Sequence, residues 1–274
     1  MNREQHTVVY NSKPPSIPIY LKSVYENRHF LLLLSWQEIK AQYAQTYFGL
    51  LWALIRPLLL IIIFTLVFKK MLHVATDSPY YLFAFVGMIS WNYFYGISVQ
   101  ASHVMQQRRD LFRKFNMPKL ILPLYKSCVV SVDMLTGLVL VMILVVYEGL
   151  PIQSGLFLLP VFLIANLFCG LMVAIWANCL SIRFRDINHL LPALIGVGFW
   201  VTPIFYPSTM IPSNFSYLLY INPMAGVLAG LRYSILGEPF PTWPYFVSLS
   251  AVAMLTFLGV WYLSRIESEI ADYA

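Results

Sequence analysis

The sequence predicts an all-α polytopic membrane protein with six transmembrane helices, an N-terminal amphipathic interface helix, and re-entrant half-helices between spans five and six. Three observations predict it. Hydrophobic residues make up 59% of the 274 and charged residues 11%, with a mean hydropathy of +0.69, so most of the chain cannot sit in water as one globule. Apolar runs long enough to cross a bilayer recur along it. Lys and Arg concentrate in one alternating set of the segments between those runs.

Residues 1–29 read as a cytoplasmic lead: they are polar, Pro14, Pro15 and Pro18 delay any helix, and no small-residue cleavage site follows the brief apolar run 30–34, so no signal peptide is expected. Residues 30–274 read as one transmembrane domain. It opens on an interface helix over 30–48, where Leu32, Trp36, Ile39, Tyr43 and Tyr47 recur at three- and four-residue spacing on one narrow face, with Gln37, Glu38, Gln42 and Gln45 off it. Gly49 then hinges this helix into a first span over 50–72, apolar except for Arg56, Pro57 and the Lys69-Lys70 pair.

Further spans are expected over 80–105, 120–147, 156–182, 190–206 and 245–264. In the third, Lys126 and Asp133 lie near one helical face, and Asp133 is best explained by a contact with another span. In the fourth, Asn166 and Asn178 are placed to hydrogen-bond between helices. Between the fifth and sixth, prolines at 207, 212, 223, 239 and 241 come densely, and Asn222-Pro223 and Arg232 interrupt an apolar run. Two half-helices within 207–243, covered by protein, explain this better than a clean crossing. Gly226 and Gly230 there permit close packing.

Charge tests the topology. With six spans and both termini in the cytoplasm, 14 of the 18 Lys and Arg fall inside, and Lys69, Lys70 and Arg232 fall outside. The net charge of +6 and pI near 9.2 therefore reflect loops facing anionic lipid rather than nucleic acid. The inner loop 106–119, QQRRDLFRKFNMPK, interleaves five basic residues with Phe112, Phe115 and Met117, a composition that suits a short helix docking into a cleft on a soluble partner. Cys128, Cys169 and Cys179 sit in apolar runs without CxxC spacing and read as small buried side chains.

Three stretches carry a family resemblance. Residues 36–58, WQEIKAQYAQTYFGLLWALIRPL, resemble the pattern W-x-[DE]-I-K-x-x-Y-x-Q-T-x-x-G-x-L-W-A-x-x-x-P-L; residues 202–212 and 221–237 are similar to [ST]-P-x-x-Y-P and N-P-M-x-G-x-x-x-G-[FL]-R. These are patterns of ABC-2-type permeases of polysaccharide export, which move O-antigen, capsule and teichoic acid chains across the bacterial cytoplasmic membrane. Gln42, Arg56 and Ala229 depart from it. The resemblance implies a multi-pass inner-membrane subunit that pairs with a second copy of itself and with two copies of an ATPase subunit. Its cargo would be a polyprenyl-diphosphate-linked polysaccharide, O-antigen first among the candidates. No cofactor is expected on this chain: it has no G-x-x-x-x-G-K-[ST], so ATP and Mg belong to the ATPase. His6, His29, His73, His103 and His189 are scattered, and no H-E-x-x-H occurs, so neither a metal site nor catalytic residues are expected.

Within this frame Glu38, Lys40, Arg108, Arg109, Asp110, Phe112, Arg113 and Phe115 are the expected contacts for the ATPase. Eight of the sixteen residues over 80–95 are aromatic, more than an interfacial belt requires. Aromatic faces stack on the C–H faces of sugar rings without fixed hydrogen bonds, so Trp52, Tyr81, Phe85, Asn92, Tyr95, Phe199, Trp200 and Tyr206 are the expected channel lining. Two other functions fit the architecture. An ABC-2 exporter of a drug or small lipid shares it. A membrane-embedded polyprenyl-linked glycosyl- or phosphotransferase would want paired acids, whereas Asp110 and Asp186 are isolated.

Overall fold

The computed structural model describes residues 16–43, 76–107, 117–181, 184 and 186–273, with isolated positions between 55 and 67. The regular elements it places there are helical. In order they are α1 (Ile17–Glu26), α2 (Arg28–Tyr43), α3 (Tyr80–Tyr95), a π-helical turn (Gly96–Gln100), α4 (Ala101–Gln107), α5 (Ile121–Tyr147), a 3-10 turn (Ser154–Leu158), α6 (Leu159–Ser181), α7 (Ile187–Val201), two 3-10 turns (Ser208–Met210 and Ser213–Phe215), α8 (Ser216–Ile221), α9 (Pro223–Leu236) and α10 (Trp243–Tyr273). Among the described residues four helical stretches, Tyr80–Val104, Ile121–Tyr147, Ser154–Ser181 and Trp243–Glu267, are long and apolar enough to cross a membrane. The expected first span over 50–72 lies almost wholly outside the described residues.

Helix begins within the 1–29 lead, at Ile17. Pro18 sits in the first turn of α1, where its missing N–H would have no helical partner anyway. Asn27 closes it, its side-chain amide donating to the Ser23 carbonyl at 2.8 Å.

The membrane-length stretch α3 through α4 is the centre of the fold: 83% of its apolar window is buried, against 22% for that in α10. It lies against α5, α6 and α9, and small residues admit the neighbours. A Cβ on Gly96 would come within 2.6 Å of Val130 on α5, and one on Gly170 of α6 within 2.8 Å of Ile97. The two expected interhelical asparagines join the same pair: Asn166 donates to the Ser90 carbonyl and hydroxyl at 3.1 and 2.8 Å, and Asn178 to the Ala101 carbonyl at 2.9 Å.

After α7 the chain is not helical to residue 206, because Thr202 turns extended and Pro203 bars the α conformation at its neighbour. At about 1.5 Å per residue α7 alone is shorter than a bilayer core. The apolar run that follows is broken at Asn222. Its backbone is extended, its side chain accepts from the Met224 N–H at 3.1 Å, and Pro223 starts α9. Helix α9 is buried along nearly its whole length. Its two close glycines serve different neighbours, since an added Cβ would meet Tyr245 of α10 at 3.0 Å from Gly226 and Phe162 of α6 at 2.0 Å from Gly230. Gly237, with φ +75°, ends α9 in the left-handed region that favours glycine.

The outer surface is apolar. Leu135, Val139 and Ile143 on α5, Leu190, Leu194 and Val197 on α7, and Val247, Met254 and Phe257 on α10 are all exposed, a surface that suits lipid and not water. Of the three cysteines Cys169 and Cys179 are buried as expected, but Cys128 is exposed on α5.

Candidate functional site

Arg232 organises one end of the core. It is 3% exposed. Its Nη1 donates to the Pro203 carbonyl at 2.9 Å and its Nη2 to the Ile204 and Phe83 carbonyls at 2.7 and 3.4 Å. The guanidinium also stacks on the Phe83 ring at 3.4 Å. Tyr80 donates to the Phe205 carbonyl at 2.9 Å, and Asn222 to the Thr202 hydroxyl at 2.8 Å. The extended segment after α7 thus has partners from α3, α9 and the turn before α9, as non-helical backbone away from water requires. The charge count above set Arg232 on the outer side, and within the fold its guanidinium is taken up by backbone carbonyls. The signal was an arginine in a proline-broken apolar run. In the turn beyond α9, burial raises the Glu238 carboxyl above the usual carboxylate range; Arg232 draws it back down, and Asp77 pushes it up.

An aromatic cluster ties α3 to α7. Phe199 meets Trp91, Trp200 and Phe205 edge-on at 5.6, 5.4 and 5.4 Å. Of the expected channel residues, Tyr95 and Trp200 are exposed, 39% and 64%, and so is Asn92. Phe199 and Tyr206 are half-buried, and the Tyr206 hydroxyl donates to the Trp200 and Val201 carbonyls at 3.1 and 2.9 Å. Tyr81, also half-buried, donates to the Glu148 carboxylate at the far end of α5. Phe85 is fully buried, because α3 is packed on several sides and a ring on that face meets protein. Trp52 lies outside the described residues.

At the other end, α2 docks on α5. The outward face of α2 carries Leu32, Leu33 and Trp36, while Leu34 and Ser35 are buried and the Ser35 hydroxyl donates to the Tyr125 carbonyl at 3.3 Å. Glu38 forms an ion pair with the buried Lys126, so it faces the protein. Lys40 is exposed, with its ammonium 5.0 Å from the Trp36 ring. Arg108, Arg109, Asp110, Phe112, Arg113 and Phe115 lie outside the described residues. Just after them, Lys119, Leu120, Tyr20 and Glu267 meet in a buried knot that the sequence did not single out.

Long apolar helices, an apolar outer surface and broken backbone covered by protein together define a multi-pass membrane domain. Residues 29–236 match the ABC-2 type transporter family, and the chain belongs to it. It is 26% identical over 258 residues to the O-antigen export system permease protein RfbA of Myxococcus xanthus, covering 93% of this chain and 97% of that protein. A Klebsiella pneumoniae protein of the same name is 27% identical over 203 residues, 74% of this chain and 78% of the relative.

Proposed function

We propose that this chain is the membrane-spanning permease subunit of an ABC exporter that moves a lipid-linked polysaccharide, O-antigen first among the candidates, across the bacterial inner membrane. The likeness to an O-antigen export permease over nearly the whole of both chains carries the reading. The sequence has no phosphate-binding loop, so a separate ATPase subunit supplies the work. Two copies of each subunit form the transporter, with ATP and Mg on the ATPase.

Six crossings place both termini in the cytoplasm, with residues 1–29 leading into one transmembrane domain and 207–243 forming a hairpin that dips in from outside. The break at Asn222 and the burial of α9 support the hairpin. Lys40, Arg108, Arg109, Asp110, Phe112, Arg113 and Phe115 receive the ATPase, while Glu38 holds α2 against α5. Asn92, Tyr95 and Trp200, which one copy leaves open, line the polymer path with Trp52, Tyr81 and Tyr206; Phe199 backs them.

A strain deleted for this chain should retain its polymer inside. A lectin for the polymer should then label cells only after permeabilisation, and plasmid-borne expression should restore surface label. Normal surface polymer in the deletion strain contradicts the proposal.

A further inference from the structure

The first turn of α5 has no local cap. The residues before it, Met117-Pro118-Lys119-Leu120, include no Ser, Thr, Asp or Asn, so the orphan N–H groups that every helix start presents need other partners. The Ile121 and Leu122 N–H groups find them on the Pro118 and Lys119 carbonyls, and the two N–H groups just before the helix find theirs on two remote helices. The Lys119 N–H donates to the Glu267 carboxylate near the end of α10, and the Leu120 N–H to the Tyr20 hydroxyl of α1 at 3.3 Å. Tyr20 is 2% exposed, and its hydroxyl lies close enough to the Glu267 carboxylate to interact with it. The Lys119 ammonium, itself buried, returns to the Glu267 carbonyl at 2.6 Å. A carboxylate at a helix N-terminus is also favoured by the helix dipole.

We propose that Tyr20 and Glu267 are positioning residues for energy coupling: they clamp the root of the 106–119 segment to α1 and α10, so that force entering there moves those helices together with α5. This rests on the coupling role given above to residues 108–115, and goes beyond it by naming the elements that take up the motion. Three features favour a clamp over a passive contact. Phe115 precedes Lys119 by only four residues, leaving little chain to absorb a displacement. The root is itself stiff, with the Ile121 and Leu122 N–H groups donating to the Pro118 and Lys119 carbonyls, both at 3.1 Å. The two Lys119–Glu267 bonds are charge-assisted, hence strong and directional, and the Leu120–Tyr20 bond is buried.

The test uses the full permease–ATPase complex in proteoliposomes and reads ATP hydrolysed per polymer exported. Tyr20→Phe, which keeps the ring and its packing, and Glu267→Ala should each give complex at wild-type yield and hydrolysis within about twofold of wild type, with the ratio raised at least about tenfold. The double variant should be no worse than Glu267→Ala, since residues that act as one unit are not additive. If Glu267→Ala does not assemble, Tyr20→Phe decides alone. A ratio unchanged in Tyr20→Phe, or export and hydrolysis falling in proportion, overturns the clamp. A wild-type complex that hydrolyses ATP without moving polymer overturns the proposed function and the clamp with it.

Discussion

The guanidinium of Arg232 donates to carbonyls on α3 and on the segment after α7, and a flat, forked donor stacked on Phe83 is what that geometry uses. Lysine keeps the charge but not the fork. Arg232→Lys should therefore lower stability by about 2–4 kcal/mol, the scale of losing charged hydrogen bonds in a buried site, read as a lower melting temperature in detergent. Glu238 makes a pH-dependent prediction. Its carboxyl is raised in the fold, by burial first, so its ionisation opposes folding: stability is retained below the ordinary carboxylate range and lost as pH rises through the raised value. Glu238→Gln should melt above wild type at pH 7, and the gap should close as pH falls; a variant that melts lower at pH 7 contradicts this. Asn166 and Asn178 were legible as interhelical donors because an amide in an apolar span has few other uses. Arg232 was legible as an anomaly only, since its partners come from residues 83, 203 and 204, a convergence that linear spacing does not reveal.

Helix α2 shows where periodicity stops informing. Its apolar stripe was found, yet Leu32 and Trp36 face outward and Glu38 faces α5, because in a membrane protein an apolar stripe can turn to lipid and a polar residue inward to a partner. Helix α3 was legible as a crossing but not by face: buried on several sides, it presents no contrast from which a face can be read. The pairing of α2 with α5 can be tested by removing one charge. Lys126→Met leaves the Glu38 carboxylate without its cation and should cost about 3–5 kcal/mol, whereas Lys126→Met with Glu38→Leu should recover most of it; equal losses in both would place the docking energy elsewhere. For α3 and α7, Phe85→Ala should destabilise by about 3–5 kcal/mol as a core cavity. Tyr95→Ala and Trp200→Ala, on exposed rings, should leave melting within about 0.5 kcal/mol and reduce polymer export. Normal export in both would move the lining away from these helices.

Over the whole molecule, the helical class and membrane character were legible from composition and run length, which fix solvent preference directly. The helix boundaries near prolines were less so: α1 starts despite Pro18, and α7 stops at Val201, since a proline's effect depends on whether it falls in a first turn or beyond a last one. Six crossings predict that single cysteines introduced at Ser12, Asn214 and Ala274 label from inside, outside and inside; outside labelling at Ala274 would require an odd number of crossings. The central claim is transport of polymer. The direct measurement is reconstitution of this chain with its ATPase in proteoliposomes charged with polyprenyl-diphosphate-linked polysaccharide. ATP should move the polymer to the far side of the bilayer, where a glycosidase added there can digest it. Protection of the polymer from that glycosidase, in a complex that moves a small lipid or drug on ATP addition, would contradict the account.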